Sequence, residues 1–260
     1  MKENPALARR RFLARAAAVG SALLVGSCDR LSQTAWWLGL LDSAETLTRL
    51  SQRALLSRQG LAREYTQADL SPDFRANGTT SPDDADYYKA AKAGFADWRL
   101  VVDGLVERPA KLSLAELRAM PSRTQITRHD CVEGWSCIGK WKGAPLAELL
   151  RQVGLKPQAK YIVFHCADSL DELPDNAGQY YESIDLEDAF HPQTILAYDM
   201  NDQPLPVPYG APLRVRIERQ LGYKMAKYIM RIEAVESFAG IKGGRGGYWE
   251  DRGYEWYAGV

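Results

Sequence analysis

The stretch TRHDCVEGWS, residues 127–136, carries the strongest chemical signal in this sequence. It places Cys131 three residues after Arg128, two after His129, and two before the carboxylate of Glu133. A thiolate is a soft ligand that suits zinc, copper and heavier transition metals. Neighbouring Arg and His side chains stabilise the thiolate form by charge and hydrogen bonds. The segment therefore predicts a reactive or metal-binding cysteine.

The other cysteines leave two interpretations open. Beyond Cys28 the chain holds Cys131, Cys137 and Cys166, and an odd number of thiols cannot all form disulfides. Together with His129 they could form a zinc site, but their spacing fits no structural zinc pattern. The commoner role of an isolated cysteine is that of a small buried apolar side chain, and we favour it for Cys137 and Cys166.

Composition excludes several classes of protein. The chain has 260 residues, 46% of them apolar, with 33 basic and 33 acidic side chains. These values fit one large or two small folded domains and exclude a disordered chain. The balanced charge argues against a nucleic-acid partner, which would require a basic face. Without residues 1–27 the charge is −4, so the body is mildly acidic.

Residues 1–27 have the pattern of an export signal. The stretch RRRFL, residues 9–13, precedes an uncharged segment at residues 16–27. A basic start and a short apolar core are typical of a secretory signal. Two adjacent arginines, a spacer and Phe-Leu resemble the twin-arginine signal, with an ordinary Arg-rich secretory signal as the alternative.

The end of this segment resembles a lipoprotein cleavage site. The stretch LVGSC, residues 24–28, places small residues before Cys28. Lipidation of Cys28 would anchor the protein, whereas the alternatives are plain signal cleavage or an unmodified cysteine. With Asp29 next in the chain, we expect a periplasmic protein anchored to the inner membrane.

The body of the chain predicts a β-rich α+β domain with short helices. Residues 28–94 are predicted to hold a tether, a helix capped at 42–45 and a polar cofactor-contacting loop, RANGTT, at 75–80. Residues 95–240 form the main domain, in which predicted strands outnumber helices and no βαβ alternation occurs. Residues 241–260 are rich in Gly and aromatic residues, and we expect this tail to cover the core.

From about Phe95 to about Phe238 the chain resembles the molybdopterin-binding domain of the sulfite oxidase superfamily. The stretch RHDCVEGW, residues 128–135, resembles its molybdenum-ligand segment. GAPLR at 210–214 and GYK at 222–224 follow in the same order as in that family. The nearest resemblance is to the exported bacterial branch typified by the periplasmic methionine sulfoxide reductase catalytic subunit.

The resemblance implies a sulfite-oxidase-type mixed β fold and a molybdenum–molybdopterin cofactor with Cys131 as the protein ligand of the metal. It also implies oxygen-atom transfer, with the metal cycling between Mo(VI) and Mo(IV). Cys166 and Tyr209 stand where that branch has threonine and asparagine. The implied cofactor-binding residues are Asn77, His129, Cys166, Tyr209, Arg214, Gly222, Tyr223 and Lys224.

Two residues beside the metal ligand have alternative roles. His129 either bonds the cofactor and orients the thiolate loop, or only caps that loop. Glu133 acts as a proton donor at the substrate entrance if burial raises its pKa. Otherwise it is a structural carboxylate paired with a nearby arginine.

The residues after Cys131 also bear on the substrate. Sulfite oxidases proper follow this cysteine with arginine-containing segments that help to bind an oxyanion, whereas this chain has VEGWS at 132–136. A carboxylate there repels an anionic substrate, so the sequence favours reduction of a small or protein-bound sulfoxide over sulfite oxidation.

The sequence contains no Cys-x-x-Cys-His motif for haem attachment. We therefore expect a separate redox partner, either a membrane haem protein or a periplasmic cytochrome. The alternatives to the enzyme are a zinc-binding Cys/His protein and a non-catalytic lipoprotein module on the same fold.

Overall fold

The computed structural model describes residues 34–55, 60–171 and 178–260, which belong to two compact units. The unit ending at Leu55 contains helix α1 (Ala35–Leu55). The expected helix start at 42–45 is wrong, because these residues lie inside α1, where the Ser43 hydroxyl donates to the carbonyl of Leu40 at 2.6 Å.

Residues 1–27 and Cys28 lie outside the described residues. No helix in the described part of the chain is long and apolar enough to cross a membrane.

The described residues of the second unit form one mixed sheet and one antiparallel sheet. Its strands are β1 (Arg99–Gly104), β2 (Ala110–Ser113), β3 (Arg123–Asp130), β4 (Ser136–Pro145), β5 (Tyr161–Ser169), β6 (Gln179–Asp185), β7 (Ile195–Met200), β8 (Gln203–Pro204), β9 (Arg214–Arg216) and β10 (Ile229–Val235). The first sheet has the order β2-β1-β10-β5-β6, with β1 and β10 parallel. The second has the order β3-β4-β7-β8, and β9 also pairs with β7. The expected α+β class is confirmed.

Four short helices belong to this unit: α2 (Ala85–Lys92), α3 (Leu114–Ala119), α4 (Leu146–Val153) and α5 (Leu186–Ala189). The Ser113 hydroxyl accepts from the Glu116 N–H, and the Glu116 carboxylate accepts from the Ser113 N–H, so a capping box starts α3. Helix α4 follows Pro145 and ends at Gly154, whose φ of 70° is readily adopted by glycine. These start and stop signals are visible in the sequence itself.

The apolar side chains form two cores. The larger one includes residues from both sheets together with the buried face of α4. The smaller one surrounds the fully buried Trp141 and contains Phe74, Cys137 and Ile195. Alternate residues of β4 point into the protein, which places Cys137 and Trp141 on the same buried face.

Strands β3 and β4 form a hairpin that contains residues 127–136, the segment around Cys131. Their register pairs His129 with Cys137 and Asp130 with Ser136, so residues 131–135 are the connecting loop. These two strands were not predicted from the sequence. Their loop places Cys131 at the end of a rigid hairpin.

Candidate functional site

A cavity of about 140 Å³ lies beside the hairpin loop. Five of the predicted site residues line it, namely Asn77, Cys131, Glu133, Gly222 and Tyr223. Because these residues are far apart in sequence, the site exists only in the folded chain. The other residues that line the cavity are Gly78, Thr79, Val132, Asp168, Leu170, Tyr180, Met225, Lys227, Trp249 and Tyr254.

The hairpin loop holds Cys131 through its backbone. The Cys131 N–H donates to the Trp135 carbonyl at 2.9 Å, and the Gly134 N–H donates to the Cys131 carbonyl at 3.0 Å. Gly134 has a φ of 86°, which favours glycine at this turn. Burial raises the pKa of the Cys131 thiol, although backbone N–H groups of the loop oppose the shift. The thiol therefore retains its proton more strongly than a free cysteine until a metal displaces it.

The expectation that Arg128 and His129 supply positive charge to Cys131 is wrong. Arg128 is half exposed, and its Nε lies 2.8 Å from a carboxylate oxygen of Asp130. His129 is fully buried, and burial, followed by the charge of Arg216, lowers its pKa well below the ordinary value. A neutral imidazole cannot stabilise the thiolate by charge.

His129 keeps an unused hydrogen-bond donor. Arg216 Nη1 lies 2.9 Å from His129 Nδ1, and because a guanidinium only donates, the imidazole proton belongs on Nε2. Nε2 is buried and has no partner among the described residues. A Cβ on Gly222 would lie 2.4 Å from it, so glycine is required where this backbone passes the ring. The role of His129 as a donor to a bound group remains consistent with this geometry.

Glu133 lacks the burial on which a proton-donor role depends. Its side chain is 62% exposed, and its Oε2 lies 3.6 Å from Arg75. The same oxygen accepts from Trp135 Nε1 at 2.9 Å. The alternative, a carboxylate paired with an arginine, is the one that matches the structure.

Arg214 is a buried cation without a carboxylate partner among the described residues. Its Nη1 and Nη2 donate to the carbonyls of Tyr209 and Met225 at 3.1 and 3.4 Å, and its Nε has no partner. The guanidinium lies over the Trp141 ring, 5.0 Å from the centroid. Burial, followed by the charge of Arg216, lowers the pKa of Arg214 to about 9.

Lys227 is a second such cation, and sequence reasoning missed it. Its Nζ donates to the carbonyls of Asn77, Thr79 and Pro208. Burial, followed by the charge of Arg214, lowers the pKa of Lys227 to about 7. The stretch GYKMAK contains two lysines three residues apart, and the pattern alone does not say which one faces the cavity.

Lys224, the lysine that was expected to contact the cofactor, is used elsewhere. Its Nζ bonds the carboxylates of Glu182 and Glu250, and all three side chains are buried. Lys224 is not among the residues that line the cavity. Burial, followed by the neighbouring Glu250, raises the pKa of Glu182 well above the ordinary value. Lys227, three residues later, is the lysine that lines the cavity.

Asp168 also lines the cavity and was not predicted from the sequence. It is 3% exposed, its Oδ2 accepts from the Thr79 hydroxyl at 2.6 Å, and its Oδ1 has no partner in the described part of the chain. Burial raises the pKa of Asp168. Together with Lys227 it fastens the loop that contains Asn77 to the cavity wall.

Cys166 and Tyr209 do not line the cavity. Cys166 is fully buried in β5, and burial raises its pKa well above the ordinary value. The Tyr209 hydroxyl donates to the Phe74 carbonyl at 2.7 Å, while its own carbonyl accepts from Arg214. In this structure Tyr209 supports Arg214, and Cys166 fills space in the core.

The structure does not support the alternative of a zinc site within residues 34–55, 60–171 and 178–260. No three His, Cys, Asp or Glu side chains in this part of the chain are arranged to hold a metal. Cys137 lies in the smaller core and Cys166 in the other sheet, so the set proposed from the sequence is not assembled.

Three buried polar groups fit a ligand that carries negative charge and several acceptors, although only Lys227 of the three lines the cavity and His129 and Arg214 do not. His129 Nε2 and Arg214 Nε are buried without partners, and Lys227 is held only by carbonyl groups. Buried donors without acceptors cost free energy unless a bound group satisfies them. An anion bound beside Arg214 and Lys227 would offset the burial of both charges.

Comparisons with known proteins give the same chemistry. Residues 88–239 match the family described as the oxidoreductase molybdopterin binding domain. The chain is 38% identical over 252 residues to the putative protein-methionine-sulfoxide reductase subunit YedZ1 of Azospira oryzae, covering 97% of this chain and 88% of that protein.

Further relatives carry the name protein-methionine-sulfoxide reductase catalytic subunit MsrP. The one from Xanthomonas axonopodis is 37% identical and covers 67% of this chain, and the one from Ralstonia nicotianae is 36% identical and covers 63%. The chain spans 56% and 51% of their lengths. A solved structure, the sulfane dehydrogenase SoxCD from Paracoccus pantotrophus, aligns with a TM-score of 0.48 and 22% identity, covering 55% of this chain and 39% of that one.

Replacement of Lys224 should expose the difference between the two lysines. Lys224→Met leaves two buried carboxylates without their cation, and we expect the free energy of unfolding to fall by about 3–5 kcal/mol. The loss should grow as the pH rises, because protonation neutralises the carboxyl groups at low pH. Urea unfolding at two pH values measures both effects.

The matched control is Lys160→Met, which removes an exposed ion pair with Glu236. Such a pair contributes no more than about 1 kcal/mol. Equal unfolding midpoints for the two variants would contradict the structural role of Lys224.

Proposed function

The chain belongs to the family of oxidoreductases with a molybdopterin-binding domain, and from this premise we propose that it reduces sulfoxides, with the methionine sulfoxide side chain, free or in a protein, as its substrate. The protein is a molybdenum-dependent oxidoreductase. The observation that carries the proposal is Cys131 in the loop of the β3–β4 hairpin, facing a cavity whose wall includes Lys227, a buried cation that donates only to carbonyl groups. The names of the relatives support sulfoxide as the substrate class.

The residues present fit the cofactor. Cys131 would bind molybdenum, and Arg214 and Lys227 would hold the negatively charged phosphate of the pterin. His129 Nε2 would donate a hydrogen bond to the bound group. When bound, the molybdenum–pterin group supplies oxygen-atom transfer.

The protein prepares the site for this chemistry. The hairpin fixes the position of the Cys131 sulfur, and partial burial excludes water from one side of it. Glu133 lines the cavity and is paired with Arg75 at 3.6 Å, so this pair offers no free cation to an oxyanion such as sulfite. These features support reduction of a neutral sulfoxide over oxidation of an anion.

Electrons are proposed to come from a separate carrier, either a membrane haem protein or a periplasmic cytochrome. The support is the sequence, which has no Cys-x-x-Cys-His motif within its 260 residues. An anchored enzyme beside the membrane would meet such a carrier readily.

The same reasoning gives a proposed location. Export by the twin-arginine route and lipidation of Cys28 would place the enzyme at the periplasmic face of the inner membrane. The support is the RRRFL and LVGSC patterns at residues 9–13 and 24–28.

Replacement of the ligand tests the proposed reaction. With a reduced viologen as donor, Cys131→Ser should lower methionine sulfoxide reduction by more than about hundredfold, because a hydroxyl is a harder and weaker donor than a thiolate. Much of the cofactor should remain, since Arg214 and Lys227 still hold it. Cys137→Ala, which alters a cysteine of the same hairpin in the smaller core, is the control and should keep both activity and molybdenum. Wild-type turnover by Cys131→Ser would remove Cys131 from the metal.

Replacement of the expected lipid site tests the location. Cys28→Ala should shift the protein from the membrane fraction to a soluble or unprocessed form, because it removes the acyl acceptor. Activity with a soluble artificial donor should be retained. A variant that stays on the membrane with normal signal cleavage would exclude lipidation of Cys28.

A further inference from the structure

The cavity wall includes two aromatic residues from a part of the chain that the family match does not reach. The match ends at residue 239, whereas Trp249 and Tyr254 belong to the C-terminal tail. Their rings stack with centroids 5.2 Å apart and an interplanar angle of 27°. Tyr254 is 38% exposed, so the pair stands at the opening of the cavity.

The tail is fastened on both sides of this pair. On one side the Tyr248 N–H donates to the Tyr181 carbonyl at 3.0 Å, and the buried Glu250 carboxylate accepts from Lys224. On the other side Trp256 Nε1 donates to the Ser183 hydroxyl at 2.9 Å. These attachments make the aromatic pair a fixed wall.

A tight turn brings the two rings together. The segment Glu250–Arg252 forms a single helical turn, and Gly253 follows with a φ of 99°. The Tyr254 N–H then donates to the Trp249 carbonyl at 3.0 Å. Tyr254 also contacts Tyr223, with ring centroids 5.3 Å apart, which joins the pair to the inner wall of the cavity.

The exposed residues at the cavity opening favour binding of an uncharged, partly apolar substrate. Among the described residues that line the cavity, the exposed ones are Gly78, Val132, Glu133 and Tyr254, and none is a cation. The nearby Arg75 lies 3.6 Å from Glu133 and over the Trp135 ring. Aromatic rings contact sulfur and alkyl groups favourably.

We infer that Trp249 and Tyr254 determine substrate specificity by contacting the alkyl chain of a methionine sulfoxide side chain as it enters the cavity. This inference rests on the proposed function. It assigns the tail a direct part in substrate selection, because its two rings add aromatic surface to an opening whose other exposed apolar side chain is Val132. A small sulfoxide that lacks the longer alkyl chain makes less apolar contact with these two rings and should depend on them less for binding.

The test uses molybdenum-loaded full-length enzyme and steady-state kinetics with N-acetylmethionine sulfoxide and dimethyl sulfoxide. Trp249→Ala should raise KM for N-acetylmethionine sulfoxide by about tenfold, corresponding to the loss of buried apolar contact, with little change in kcat. KM for dimethyl sulfoxide should change much less. Tyr254→Phe keeps the ring and should retain wild-type KM, whereas Tyr254→Ala should resemble Trp249→Ala. Tyr257→Ala, a tail aromatic that does not line the cavity, is the matched control.

Molybdenum and pterin content is measured for every variant. Unchanged content with the selective rise in KM supports the inference. If Trp249→Ala and Tyr254→Ala leave KM unchanged, or change KM by the same factor for both substrates, the inference is overturned. Loss of cofactor from these two variants would also overturn it, because the pair would then belong to the cofactor site.

A binding measurement separates the inference from the proposed function. If the wild-type enzyme reduces neither sulfoxide, the proposed function fails. Calorimetric titration of the same proteins with N-acetylmethionine sulfone, an unreactive analogue, then decides the inference. Binding to wild type that weakens about tenfold in Trp249→Ala supports the aromatic wall, and undetectable or equal binding overturns it.

Discussion

The burial of four cations within a short stretch of chain governs this structure. Arg214, Arg216, Lys224 and Lys227 are each at most 5% exposed. Charges removed from water are costly unless they are paired and hydrogen-bonded. Two of the four are paired internally, since Arg216 bonds Glu218 and Lys224 bonds Glu182 and Glu250. The hydrogen bonds of Arg214 and Lys227 go only to carbonyl groups, and burial lowers the pKa of both side chains. In the proposed holoenzyme an anionic cofactor supplies the missing charge. The paired cations then belong to the scaffold, and Arg214 and Lys227 to the site.

The paired cations also determine where the tail and the hairpin lie. The ion pair between Lys224 and Glu250 holds the neighbouring Trp249 at the cavity wall. Arg216 donates to His129 on β3 and thereby fixes the tautomer of the imidazole next to the Cys131 loop. A single buried stretch thus positions both the metal ligand and the aromatic wall, and the proposed specificity of the enzyme depends on the same charges as its fold.

Part of this arrangement could be predicted from the sequence. The capping box at Ser113 and the Pro145 and Gly154 signals gave α3 and α4, because local chemistry decides where short helices begin and end. The segment around Cys131 was recognisable, and Asn77 lines the cavity as expected. The hairpin was missed because β3, with the sequence RTQITRHD, is too polar to stand out as a strand.

The remaining errors concern side-chain direction. Glu133 is close to Cys131 in sequence but points to solvent, and only the fold shows that Lys227 faces the cavity while Lys224 faces two carboxylates. Lys224 and Lys227 are only three residues apart, yet the first pairs with buried carboxylates and the second lines the cavity. Asp168 carried no signal of its own in the sequence.

The central claim is that the cavity is completed by an anionic molybdenum–pterin cofactor that Lys227 helps to hold. The direct measurement is the molybdenum and pterin content of purified wild-type protein and of Lys227→Met, both made in a molybdenum-replete export host. We expect stoichiometric molybdenum and pterin in the wild type, and at least about tenfold weaker retention of both by a folded Lys227→Met protein, because one charge-assisted contact is lost. Zinc without molybdenum in the wild type, or unchanged molybdenum and pterin content in the variant, would contradict the account.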